Sequence, residues 1–300
     1  MDPQKRFELL TRSPFWAIRP EFIAHVLHMT IAFKPTGAWT WEAAKPHTRG
    51  PKDNKVAVIP IEGVLSKDGP AWWGSSYDSI AKAAEDAAAD PEVKRVLLAV
   101  DSPGGEVTGL PETATVLAQV AKVKPVSAIV DGMSASAAYW LTSQASDVAL
   151  TPSGEVGSVG VRMMHVDISK MLDDIGYKVT ELYSGDFKTE WSPYKPLTDE
   201  AKADMQKRLE AVHTDFLNAV SAGRGNRASA EIQQARFGEG RMFSATDAMS
   251  HGLVDKLQSA RDFYRAIIPQ QEQSDSAPAY GLPVKQRTGL ERARAGNARV

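Results

Sequence analysis

The sequence predicts an α/β protein built on a mainly parallel sheet, and three observations lead there. From Lys55 onward, short β-rich runs alternate with helical ones, the texture of strand–helix–strand units joined by right-handed crossovers. The runs that precede the helices, RVLLAV and PVSAIV among them, are short and almost wholly apolar, as buried strands are. A long amphipathic helix then follows close to residue 200.

Taken in order, VAVIPIEG from Val56 reads as the first strand and YDSIAKAAEDAAAD as the helix after it. RVLLAVDSPGG is a second strand ending in a Pro-Gly-Gly turn, followed by a helical stretch through Val120. PVSAIVDG is a third strand, SASAAYWLTSQA a helix and DVALTP a fourth strand. A further strand is expected over residues 178–183. Thr198 caps the long helix, with Asp199 and Glu200 in its first turn, and the helix runs to Gly223. Its apolar positions Met205, Leu209, Val212, Phe216 and Val220 share one face, which marks core or subunit interface. Residues 243–257 supply a short helix and an apolar GLVDKL ending that closes the domain.

This reading divides the chain into an N-terminal arm and linker (1–54), one domain (55–268) and a basic tail (269–300). The arm holds one helix-like stretch, Trp39 and Trp41, and a Pro-, Gly- and charge-rich connector over residues 45–54. The tail carries Lys285, Arg287, Arg292, Arg294 and Arg299 against Glu291 and is expected to be mobile.

The 300 residues are 43% hydrophobic, enough to fill a core. A formal charge of -2, from 35 basic and 37 acidic side chains, gives no overall attraction to nucleic acid or anionic lipid. With no cysteine, disulfides, thiolate metal sites and a cysteine nucleophile are excluded, and a cytoplasmic location is the default. Residues 15–33 are broken by Arg19, Glu21, His25 and His28, so no membrane anchor is expected there, and the first residues lack the plan of a secretory signal. Walker, HExxH and EF-hand patterns are missing, and nothing in the sequence asks for a cofactor or a metal.

Four stretches can carry chemistry. Asp101-Ser102-Pro103-Gly104-Gly105 follows an apolar strand, and its glycines allow a backbone to approach a ligand with its N–H groups turned inward, as an oxyanion hole requires; a plain strand-to-helix turn is the simpler alternative. Gly132 to Trp140 places Ser134 and Ser136 among small residues at a strand–helix junction, where an N–H can meet an oxyanion. Ser134 reads as the helix cap. The third stretch is Gly157-Ser158-Val159-Gly160, and the fourth is Tyr183 to Lys188, with Thr189 and Trp191 behind it. A lysine partly desolvated by such neighbours frees an amine lone pair to take a proton from a hydroxyl, whereas by composition alone Lys188 is an ordinary surface lysine.

In order and spacing the four stretches resemble the signal peptide peptidase A family of serine peptidases, which have the Clp-protease/crotonase fold, a βαβ superhelix. DSPGGEV is similar to the family's SPGG segment, SASAAYW to its nucleophile segment, GSVGV to GSxGV and YSGDFK to SGxxK; RMFSATDAMSHGLVD resembles its closing helix and turn. The resemblance runs from about Val56 to Leu257. It implies Ser136 as nucleophile, Lys188 as general base and Ser158 as the hydroxyl that orients the lysine. Backbone N–H groups of Gly105, Gly104 and Ala137 would meet the oxyanion. Ala137 and Ala138 depart from the family's usual glycines, which narrows the space beside the nucleophile. Substrate is then expected to lie as an extended strand along Gly105-Glu106-Val107, with Ala135 and Ala138 as small pocket walls and the loop of Trp72 and Trp73 as a rim or lid, or as subunit packing.

Within the family the likeness is to the soluble head-maturation (capsid assembly) proteases of tailed phages. That implies protein substrates such as capsid and scaffold proteins, a ring of copies, and a place in the host cytoplasm, within an assembling prohead. Three other readings stay open. His165 with Asp167 offers a Ser-His-Asp arrangement, the fold also serves crotonase-like acyl-CoA enzymes, and a non-catalytic scaffold protein could share it. His25, His28, His47, His213 and His251 read as ordinary surface or core residues.

Overall fold

Strands whose side chains alternate between two apolar faces set the architecture. The computed structural model describes residues 44–69 and 74–269, together with the backbone of residues 15–18. The helix-like stretch and tryptophans of the arm, the Trp72–Trp73 rim and the basic tail lie outside the described residues.

Elements are numbered here in chain order. After β1 (Phe15–Ile18) and β2 (His47–Arg49) come β3 (Lys55–Leu65), α1 (Tyr77–Ala89), β4 (Val93–Glu106), α2 (Leu110–Val123), β5 (Val126–Ala135), α3 (Ala137–Thr142) and β6 (Asp147–Leu150). Strands β3, β4, β5 and β6 pair in parallel, side by side, as the βαβ reading requires. Ala57, Ile59, Ile61, Val96, Leu98 and Val100 face the main core beneath α1, α2 and α3. The intervening Val56, Val58, Leu97 and Ala99 face a second cluster with Ile129, Ala149 and Phe263 of α8 (Ala260–Ile267). Burial on both faces explains why the strand sequences are unbroken apolar runs instead of alternating ones. The connector is not a plain linker: β2 pairs antiparallel with β3 and extends the sheet.

Past the parallel core the sheet changes partners. The last residues of β5 pair with β7 (Glu155–Gly157), which pairs antiparallel with β9 (Met242–Ser244). The last residues of β4 pair antiparallel with β1, whose other edge pairs with β8 (Arg162–Met163). A two-residue β10 (Lys256–Leu257) lies parallel to β6.

Short α4 (Ser169–Asp174) precedes the long helix α5 (Asp199–Arg224). The expected cap forms, the Thr198 hydroxyl accepting from the Ala201 N–H at 3.1 Å. Of the expected face, Met205, Phe216 and Val220 are buried and Leu209 and Val212 partly so. Phe216 stacks on Trp140 with ring centroids 4.6 Å apart, which clamps α3 to the long helix. At the far end of α5 the fully buried Arg224 guanidinium donates to the Asp255 carboxylate and to the Gly252 carbonyl. Helices α6 (Ala230–Gln234) and α7 (Ala245–Ser250) complete the described chain. The strand expected over residues 178–183 is not formed; that stretch is irregular and mostly exposed, and among the described residues no strand pairs with it. No helix among the described residues is long and apolar enough to cross a membrane.

Candidate active site

The ends of β4, β5 and β7 bring three of the four predicted stretches together. Ser102 of β4 is level with Ser134 of β5, and Ala135 of β5 is level with Gly157 of β7. Ser136 follows the end of β5, two residues past the Ser102–Ser134 pairing, and Ser158 follows the end of β7.

Ser136 is buried, at 1% exposure, and its φ of 54° and ψ of -119° lie outside the regions an L-residue favours. Its N–H donates to Gly157 O at 2.8 Å, and its hydroxyl donates to Gly160 O at 3.4 Å. Ser158, also buried, has φ 55°, and its N–H donates to Arg241 O at 2.7 Å. Two neighbouring serines held in a conformation that costs on the order of 1–3 kcal/mol each mark a place where the fold over-determines the backbone. The reading of Ser134 as helix cap is corrected. Ser134 belongs to β5 and its hydroxyl meets Thr142 at 2.9 Å, while Ser136 occupies the N-cap position of α3 without a side-chain capping bond.

On the oxyanion side, Gly105 cannot be anything else. A Cβ there would come within 1.8 Å of the Leu65 carbonyl oxygen, because β3 and β4 pair at that residue. Gly104, at φ 96°, has its N–H taken up by the Ser102 hydroxyl at 3.1 Å, which in turn donates to Gly63 O at 2.7 Å. The Gly104 N–H is thus not open to an oxyanion as expected. Ala137 opens α3, so its N–H has no carbonyl within the helix to meet.

Asp101, which precedes this turn, accepts the Met133 N–H at 3.2 Å and so ties the glycine turn to the serine loop. Burial pushes its carboxyl up, the Met133 N–H opposes that, and the Asp131 charge adds to it.

Lys188 does not join this cluster within one chain. It is exposed, on the irregular stretch before Trp191, and lines a surface pocket with Glu181, Trp191 and Arg208. Its neighbour Phe187 does not cover it, being itself 66% exposed. Nor are Ala135 and Ala138 walls of an open pocket: both are fully buried, Ala138 within the main core. Glu106 is buried and Val107 partly so, at the end of β4 where β1 pairs.

His165 is turned away from any triad. Its Nε2 lies 2.9 Å from Ser192 O, and the Asp167 carboxylate accepts the Ser169 N–H instead. The Ser169 hydroxyl and then its N–H hold Asp167 below the usual carboxylate range, with a smaller contribution from the His165 charge. His213, which the sequence marks as ordinary, packs from α5 against Arg236, its Nδ1 3.0 Å from Nη2, and against the Val159 backbone. Burial, then the Arg236 charge, pushes its imidazole down. Its helical spacing places it one turn before Phe216, the signal that it faces inward.

Residues 118–273 match Peptidase family S49. The chain belongs to that family. Capsid assembly protease C of Escherichia phage lambda is 34% identical over 213 residues, which cover 70% of this chain and 48% of that protein. The head-tail preconnector protein GP5 of Enterobacteria phage P21 is 30% identical, covering 82% of this chain and 48% of that one. A putative signal peptide peptidase SppA of Enterococcus faecium is 26% identical, covering 76% and 67%. The chain thus spans about half the length of the two phage relatives it matches. Among solved structures, an enoyl-CoA hydratase/isomerase family protein from Silicibacter pomeroyi matches 74% of this chain and 78% of its own at 12% identity and a TM-score of 0.45, a likeness that says nothing of chemistry.

Proposed function

We propose that this S49 chain is a serine endopeptidase in which Ser136 attacks a peptide carbonyl, Lys188 is the general base and Ser158 orients the lysine amine. The observation that carries the reading is Ser136 itself: a buried hydroxyl on a strained residue at a strand–helix junction, just past the pairing of Ser102 with Ser134, in a chain of a peptidase family. As the Oγ–C bond forms, the lysine amine takes the hydroxyl proton, and the N–H groups of Gly105 and Ala137 stabilise the oxyanion, each worth about 3 kcal/mol. The lysine then returns the proton to the leaving amine, and water repeats the sequence on the ester.

The exposure of Lys188 supports an assembled enzyme. Met171, Ile175, Tyr177, Leu182 and Phe187, all large and apolar, stand exposed along the same stretch of chain. Copies of the chain associate through this stretch into a ring, and association brings the lysine of one copy to the serine of the next. The names of the phage relatives support capsid and scaffold proteins as substrates, cut in the host cytoplasm during head assembly.

Labelling with a fluorophosphonate tests the reading. The label attaches to Ser136 in the wild-type chain and is lost in Ser136→Ala and Lys188→Ala; a wild-type chain that takes up no label overturns it.

A further inference from the structure

Three non-glycine residues with positive φ, Arg236 at 49°, Phe237 at 54° and Glu239 at 48°, fall within four positions of one turn between α6 and β9. Such a run is strained and persists only where its surroundings fix it. Phe237 is buried in the main core, and Arg236 reaches back to α5, where its Nη2 donates to His213 Nδ1 at 3.0 Å. Glu210 lies 3.5 Å from the same guanidinium nitrogen, and Glu239 3.1 Å from Nε. The other end of the turn meets the candidate site. Arg241 O accepts the Ser158 N–H at 2.7 Å, and a Cβ on Gly157 would come within 2.5 Å of that carbonyl oxygen. A Cβ on Gly160 would touch the Gly240 backbone at 3.6 Å, and it is the Gly160 carbonyl that accepts the Ser136 hydroxyl. The turn thus backs both Ser158 and the carbonyl that meets Ser136. From the helix side, His213 also rests against the Val159 backbone between them.

We propose that His213 is a positioning residue for this site: uncharged, it accepts from Arg236, and the Arg236–Arg241 turn so held sets the backbone of Ser158 and Gly160 against Ser136. This role rests on the peptidase reading above. A guanidinium only donates, so Nδ1 is the bare ring nitrogen and the imidazole proton sits on Nε2. A second proton, on Nδ1, would set donor against donor and cation against cation, and would release Arg236 to its other partners, Glu210 and Glu239. Burial first, and then the Arg236 charge, push the imidazole down; Glu210, Glu239 and the Val159 backbone oppose this without reversing it. The ring is therefore neutral at pH 7, and the clasp opens only as pH falls below the ordinary imidazole range.

Hydrogen exchange of the Ser158 amide and turnover of a short fluorogenic peptide, both followed from pH 5 to pH 8, test this in the wild type, His213→Gln and His213→Leu. In the wild type, protection of the Ser158 amide falls by about tenfold or more between pH 8 and pH 5, and kcat falls with it. Glutamine keeps an acceptor for Arg236 and does not titrate, so its protection holds across the range and its acid limb follows one proton, that of the lysine, instead of two. Leucine offers no acceptor: kcat drops about tenfold at pH 8 with KM little changed, and glutamine restores most of it. Equal Ser158 protection and equal acid limbs in the wild type and His213→Gln, or full kcat in a folded His213→Leu, overturn the role of His213, while wild-type turnover leaves the peptidase reading standing. A wild-type chain that cuts no peptide, although its Ser158 protection follows pH, overturns the peptidase reading and the role that rests on it.

Discussion

The Arg224 guanidinium grips the Asp255 carboxylate through two nitrogens, at 2.7 and 3.0 Å, with the arginine fully buried at the end of the long helix. Asp255 also accepts the Val148 N–H at 2.7 Å, so this one pair joins the long helix, the closing turn and a parallel strand. Burial pushes the Asp255 carboxyl up, but the hydrogen bonds and charge of Arg224, the Val148 N–H and Arg227 outweigh it and hold it below the usual range. A depressed carboxylate stabilises the fold above its ordinary range and stops doing so as pH falls through its folded value. Asp255→Ala leaves a buried arginine unpaired and costs about 3–5 kcal/mol at neutral pH. Urea unfolding at pH 7 and at acid pH measures this: the gap between variant and wild type is large at pH 7 and shrinks in acid.

Glu62 behaves in the opposite sense. Burial raises its carboxyl, the Ala44 N–H at 2.9 Å opposes that, and the Asp101 charge adds to the rise. The folded state therefore holds a proton that the unfolded chain gives up, and stability falls as pH climbs through that interval. Glu62→Gln keeps an acceptor for Ala44 and removes the buried charge. Its Tm exceeds that of the wild type at pH 7, and thermal melts of the two converge below the ordinary carboxylate range.

Strain at the serine separates stability from activity. Ser136→Gly relieves a positive φ at the expense of one long hydrogen bond, so the variant gains about 1 kcal/mol in denaturant unfolding while its peptide turnover vanishes. Equal or lower stability of the glycine variant argues against strain at this residue.

Gly105→Ala drives a methyl group into the Leu65 carbonyl and prises β3 from β4. A loss of at least about 3 kcal/mol is expected. Circular-dichroism melts detect it directly.

If Lys188 reaches the serine of a neighbouring copy, the two halves of the dyad complement each other. Ser136→Ala and Lys188→Ala each lower peptide turnover by at least about 10³-fold alone, and co-expressing the two chains restores part of it. His165→Ala keeps wild-type turnover, because its ring is engaged with Ser192 and not with a serine hydroxyl.

The parallel core was legible because strands buried on both faces must be apolar throughout, and the long helix because Thr198 and the spacing of Met205, Phe216 and Val220 are local signals. The junction of the glycine turn with Ser136 and Ser158 was legible as an ordered set of motifs. What escaped was decided by distant partners. Residues 178–183 have strand composition but, among the described residues, no strand paired with them, Ser134 has a capping residue's chemistry but lies two residues too early, in β5, and Lys188 has aromatic neighbours in sequence that leave it exposed in space. The place of β1 depends on two sheet edges far along the chain, which no pattern within four residues announces.

The strand β1 also measures the space it fills. Two edges that flank one strand stand roughly 10 Å apart, twice the spacing of neighbouring strands. A helix is about 10–12 Å wide with its side chains and has already committed its amides internally, so it can neither enter that slot nor pair within it. On the peptidase reading, a polypeptide that took the place of β1 in this slot would first have to give up its own secondary structure over several residues.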